Sequence, residues 1–155
     1  MPHRKLHFSI DLNAPQVNTY RLLYSPQAIR DCWGARSAIV LPKVDGIWVA
    51  TWGLDENDPD FVAMARIKRF DPPTTLLLGD YVFHSKLLQL EHKLPAFQTL
   101  FEVQANGKGS ILSLEQSGFV RDPEIDEFYN RCNIGWKSTL MSLKLYAEKQ
   151  PIEPT

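Results

Sequence analysis

The strongest constraint on this chain is an amphipathic helix near its C-terminus. Asp122-Pro123-Glu124 joins a capping carboxylate, a proline suited to the first helical turn and a glutamate that complements the positive end of the helix dipole. Beyond it, Ile125, Phe128, Cys132, Trp136, Leu140, Leu143 and Ala147 fall at steps of three or four and form one apolar stripe. The pattern predicts a helix to about Glu148, about 26 residues and roughly 39 Å long. Pro151 and Pro154 then end regular structure, leaving 151–155 as a flexible tail. A helix of this kind is stabilised mainly by burying its apolar face, so the preceding residues must build a surface that covers it.

They read as strands. Leu6, Phe8, Ile10 and Leu12 alternate with polar neighbours, the period of a half-buried strand. Asn13, Pro15 and Gln16 predict a cap and the start of a short helix with Val17, Tyr20 and Leu23 or Tyr24 as its stripe. Ser25-Pro26 repeats the signal for a second short helix anchored by Ile29 and Trp33 and ended by Gly34. Further strands are expected near 36–41, 44–53, 61–70, 75–85, 97–105 and 109–118, punctuated by Asp45-Gly46, Asn57-Asp58-Pro59, Asp71-Pro72-Pro73 and the hairpin signal Asn106-Gly107-Lys108-Gly109. Residues 86–96 look like a crossing loop in which a short helix is also compatible with the leucines. Residues 1–150 thus read as a single α+β domain, a curved seven-stranded antiparallel sheet around the long helix, with two short helices after the first strand. Periodicity shows that the faces meet; a filled core and a hollow chamber both satisfy it.

Composition narrows the partners. Seventeen basic residues against eighteen acidic ones give a formal net charge of -1, which removes the electrostatic attraction behind nonspecific nucleic-acid binding. No apolar run approaches the roughly 18 residues of a membrane span, and no signal-peptide pattern develops before Asp11, so the expected setting is the cytoplasm. Cys32 and Cys132 lack a CxxC partner, and His3, His7, His84 and His92 are scattered, so neither a metal site nor any other cofactor is expected. The glycines form neither a dinucleotide fingerprint nor a P-loop.

Two stretches carry a family resemblance. Val17, Leu22 and the segment SPQAIRDCWG at 25–34, with SLEQSGF at 113–119 and GWKSTLMSLKLY at 135–146, resemble the START-like, or SRPBCC, superfamily, within it the homologues of the activator of the heat-shock chaperone ATPase. Cys32-Trp33 stands where that subfamily often has two aromatic residues. The resemblance covers almost the whole chain and implies the helix-grip fold shared with the birch-pollen allergens. It also implies a cavity for apolar molecules or a chaperone partner, with cyclase or dehydratase chemistry in a minority of members.

Candidate cavity residues follow from strand alternation. Trp48 and Trp52 share a face and make a broad apolar wall or a packed core. Tyr81 and Phe83 fall with Leu77 and Gly79 on one side of their strand, opposite Leu76, Leu78, Asp80, Val82 and His84. Asp80 and His84 are about 13 Å apart along the strand and do not form a dyad. Arg66, grouped with Met64 and Phe70 against Ala63, Ala65 and Ile67, would hold a carboxylate if it pointed inward. Glu102, Glu115 and Gln116 carry the same ambiguity. On the long helix, Tyr129, Cys132 and Trp136 lie near the centre of the apolar side, and Gly135 suggests a close approach by another element. No residue is assigned a catalytic role.

The leading expectation is a noncatalytic binder of a small apolar or amphipathic molecule, acting as monomer or homodimer. The alternatives are a chaperone-regulating or other protein-interaction module, and an enzyme using polar cavity groups.

Overall fold

The computed structural model describes residues 4–149; the tail expected over 151–155 lies outside them, as does His3. Strands β1 (Arg4–Leu12), β2 (Ser37–Val40), β3 (Ile47–Trp52), β4 (Phe61–Asp71), β5 (Thr75–Ser85), β6 (Gln98–Asn106) and β7 (Gly109–Phe119) form one antiparallel sheet in the order β1-β7-β6-β5-β4-β3-β2. Helices α1 (Gln16–Arg21) and α2 (Pro26–Asp31) follow β1, and α3 (Pro123–Lys149) closes the described chain. The single crossover carries the chain from β1 through the two short helices to β2 at the far edge, and hairpin connections then walk back to β7 beside β1.

The long helix starts where its signal lies. An Asp122 side-chain oxygen accepts the Glu124 N–H at 2.9 Å, and the Asp122 carbonyl accepts from Asp126. Ile125, Phe128, Leu140, Leu143 and Ala147 are buried. Both ends of α3 are tied down. Arg4 reaches Asp126 at 2.6 Å, while Glu148 accepts the Asn13 N–H at 2.8 Å and pairs with Lys144. Lys144 and that N–H together hold the Glu148 carboxyl below its ordinary value.

The second short helix is capped as expected, with Ser25 Oγ accepting the Ala28 N–H and Pro26 in the first turn. The first is not. Pro15 precedes α1 without a side-chain cap, the backbone N–H of Asn13 is bound by Glu148, and Val17 is exposed. What holds α1 is polar contact beneath it. Tyr20 donates to the Thr75 carbonyl at 2.7 Å, Gln16 Nε2 donates to the Val103 carbonyl, and Ser110 Oγ, 2.7 Å from Thr19 Oγ1, donates to the Ala14 carbonyl.

Two bulges correct the expected strand faces. Met64 pairs with Val82 but Arg66 with Gly79, so β5 carries one extra residue there, with Asp80 at φ 49°. The inward set therefore switches from Leu76 and Leu78 to Tyr81 and Phe83, and the aromatics join the leucines on one face instead of opposing them. A second shift between Ile67 and Arg69 returns Phe70 to the inner side, where its ring meets Tyr24 at 5.3 Å. Residues 86–96 form turns without a helix, and Leu90 and Leu94 plug the core from that side. This loop lies so close to the end of β7 that a Cβ on Gly118, at φ 92°, would sit 2.4 Å from the Ala96 carbonyl oxygen.

Candidate functional site

The inner face of the sheet and the middle of α3 do not close on each other. Between them lies a chamber of about 190 Å³. Its wholly buried lining is Trp48, Ala63, Phe83, Phe97, Gln116 and Phe128. Trp33, Trp52, Phe61, Tyr81, Cys132, Trp136 and Thr139 line it but keep partial exposure, and Gly135 is exposed. The rim therefore runs along α3 from Cys132 to Thr139 and across to Trp33, Trp52 and Phe61.

The burial pattern of α3 explains the hollow. The stripe is fully buried at Ile125 and Phe128, interrupted at Cys132 and Trp136, and fully buried again from Leu140. Between its buried ends the helix meets the sheet through Trp136, whose ring packs edge to face on Phe101 of β6 at 5.8 Å, while Ala50, Ala63 and Ala65 keep β3 and β4 low.

All four tryptophans of the chain line this space. Trp33 contacts Trp48 at 5.2 Å and Trp136 at 5.4 Å between ring centroids. A second ring cluster joins Trp52, Phe61, Phe83 and Phe128, with Tyr81 stacked on Phe83 at 5.0 Å. Three indole N–H groups are already engaged by backbone: Trp33 donates to Leu22, Trp48 to Leu23 and Trp52 to Trp33. Those three rings therefore present apolar faces rather than free donors.

Polar groups are few. The Tyr81 hydroxyl donates to Thr99 Oγ1 at 2.9 Å, and Gln116 Nε2 donates to the same oxygen at 3.1 Å. Gln116 Oε1 is buried without a partner. Tyr81 and Cys132 are the titratable groups in the lining. Burial drives both upward, the thiol to about 12, and the Thr99 contact only partly offsets the effect at Tyr81. Both stay protonated near neutral pH. Among the described residues no group of three or more His, Cys, Asp or Glu is placed to hold a metal ion.

Of the residues singled out from sequence, the fold brings Trp48, Trp52, Tyr81, Phe83, Cys132 and Trp136 to the chamber. It leaves out two. Arg66 lies on the outer face, donating to the Asp45 carbonyl, because β4 keeps its strict alternation through Ala63, Ala65 and Ile67. Tyr129 sits one position round the helix from Phe128; its ring packs on Phe119 and under the Arg4 guanidinium, at the β1 end of the domain. Gly135 is not a close-approach site either, since nothing lies within 4 Å of the place a Cβ would occupy. Asp80 pairs outward with Lys68, and Glu115 with Lys5. Sequence reasoning passed over Phe61, Phe97 and Thr99, and left Gln116 ambiguous. The signal for Gln116 was its parity with the buried Ser110, Leu112 and Leu114 on β7.

No family model matches the chain, and no curated protein matches its sequence. Solved structures do. MLL2253 from Mesorhizobium loti is similar at 18% identity and TM-score 0.74, over 96% of this chain and 100% of that one. Ms6760 from Mycobacterium smegmatis is similar at 12% and 0.73, over 95% and 92%. The Aha1 dimer from Colwellia psychrerythraea is similar at 14% and 0.69, over 94% and 97%. The shared fold is a helix grip, a curved seven-stranded antiparallel sheet with one long C-terminal helix. These identities speak for the architecture alone, so what this domain does rests on its own chamber. No helix among the described residues is long and apolar enough to cross a membrane.

Proposed function

We propose that this domain is a noncatalytic binding module for a small apolar or amphipathic molecule, held between the sheet and the middle of α3. The supporting observation is the interruption at Cys132 and Trp136 in an otherwise buried stripe, opposite a ring-lined hollow of about 190 Å³. A cavity of roughly 150 Å³ lined by apolar groups accommodates a benzene-sized guest, so the scale here is that of one or two fused rings. A guest hiding ~200 Å² of apolar surface would gain about 5 kcal/mol before the costs of ordering it. A cyclase- or dehydratase-like role needs two groups able to exchange protons within the chamber. Burial holds Tyr81 and Cys132 protonated, and this favours the binding reading.

Native mass spectrometry of freshly purified protein, with thermal unfolding in the presence of small aromatic and aliphatic molecules, tests the proposal. Bound mass or a ligand-dependent rise in Tm is expected. A chain that carries nothing and gains no stability from any of them contradicts it.

A second reading, a protein-interaction module, is favoured by the outer face. Ile39, Val49, Met64 and Val82 lie in direct cross-strand register on β2 to β5, and Ile39 and Val82 are 61% and 59% exposed. Such a row suits a second copy of the chain, in line with the dimeric Colwellia relative, or a chaperone surface. Sedimentation of the wild type and Met64→Glu separates these: a dimer lost on substitution supports self-association. A monomer in both, with no effect on chaperone ATPase rate, removes the reading.

A further inference from the structure

One polar cluster borders the chamber from the sheet. Thr99 and Gln116 face each other directly across β6 and β7, on the inner side of the sheet, and are 1% and 6% exposed. Thr99 Oγ1 accepts from both the Tyr81 hydroxyl and Gln116 Nε2, which fills its two lone pairs. The Gln116 amide oxygen accepts from nothing, although it is buried and its side chain lines the chamber. Buried amide oxygens are ordinarily paired, and one left without a donor carries a desolvation cost that a suitable guest removes.

Its position matters as much as its chemistry. Gln116 is on β7, three strands from Phe61 on β4, or roughly 14 Å at ordinary strand spacing. Phe61 belongs to the exposed rim, so the unpaired oxygen, on a residue only 6% exposed, is set back from that part of it. The rings of Phe83, on β5, and Phe97, just before β6, lie between and are buried. A guest entering from the rim would therefore meet apolar faces along its length and an acceptor at its tip.

Resting on the binding reading above, we infer that the chamber selects flat, fused-ring-sized molecules that carry one O–H or N–H donor at the inserted end, and that Gln116 Oε1 is the group that reads it. Aromatic alcohols and indole-type compounds belong to that class. Ethers of the same shape do not, because they bring a second acceptor against the first. Tyr81 and Thr99 are positioning residues: they hold the amide by its nitrogen and leave its oxygen free.

Three probes of nearly equal shape test this: 2-naphthol, 2-methoxynaphthalene and naphthalene, each titrated calorimetrically into the wild type, Gln116→Leu and Gln116→Met. The wild type should bind 2-naphthol roughly tenfold tighter than the other two, the effect of one buried hydrogen bond. Both variants should lose that preference while retaining naphthalene. The two substitutions differ in shape, so one serves if the other fails to fold, and circular dichroism checks both. Equal binding of all three probes to the wild type, tighter binding of the ether, or a naphthol preference that survives in the variants overturns the role of Gln116 and leaves the chamber as a plain apolar site. Failure of all three probes to bind the wild type overturns the inference and the binding reading together.

Discussion

Trp33, in the turn that follows α2, meets Trp136 of α3 edge to face, with ring centroids 5.4 Å apart and planes at 72°. Trp33 also packs on Trp48 and Phe101, and its indole N–H is held by the Leu22 carbonyl. One side chain thus joins the short helices, the sheet and the long helix. Trp33→Ala should cost about 3 kcal/mol, in the range of large aromatic truncations, read from the shift of the urea midpoint at unchanged slope. A change under about 0.5 kcal/mol, typical of a surface site, would show that the three elements are held together elsewhere.

Gly135 lies inside α3 with open space where a Cβ would stand. A glycine in a helix interior is less favourable than alanine by roughly 0.5–1 kcal/mol. Gly135→Ala should therefore raise stability by about that amount, seen as a higher Tm. Destabilisation would mean that the helix is closed upon by something at this position, and the rim would have to be drawn differently.

How much of this was legible beforehand can be judged from β5. Its limits and its aromatic content were plain from Thr75 to Ser85, but strict alternation placed Tyr81 opposite Leu76 and Leu78. The bulge that puts them together depends on Asp80 adopting positive φ against Ala65 of the neighbouring strand, a tertiary event with no local signature. The α3 stripe, by contrast, was readable at every step, because its cap, period and burial all arise within one segment. What the stripe could not reveal is that Cys132 and Trp136 keep partial exposure and border a hollow, since that depends on the residues facing them, among them the small Ala63 on β4. Asn13 had the right chemistry for a cap, yet its side chain caps nothing at α1, and its backbone N–H is bound by Glu148, 135 positions away.

Both cysteines give the domain an alkaline limit. Burial raises the thiols of Cys32 and Cys132 from an ordinary 9.0 to about 12. Below pH 9 the thiol is protonated in folded and unfolded chains alike, and the stabilisation is fully present. Between about 9 and 12 the unfolded chain loses the proton first, so stability falls as pH rises. Urea midpoints measured across this interval should decline, and Cys132→Ala should make the decline shallower. A flat profile in the wild type would mean that the thiols ionise as readily in the fold as outside it.

The outer apolar row offers a control for the chamber. Met64 lies on the opposite face of β4 from Ala63 and is exposed. Met64→Glu should leave stability within about 0.5 kcal/mol and leave uptake of an aromatic guest unchanged by calorimetry. Loss of uptake would place the guest on the outside of the sheet.

The most direct test of the chamber uses its own reporters. Because every tryptophan of the chain lines it, the indole N–H resonances of uniformly labelled protein observe this space from all sides. On titration with 2-naphthol or naphthalene, the signals of Trp33, Trp48, Trp52 and Trp136 should move together and saturate, along with the backbone amides of Ala63 and Thr139, while those of Met64 and Val82 stay in place. Stationary indoles at saturating guest, or shifts confined to the outer strand faces, would contradict the account.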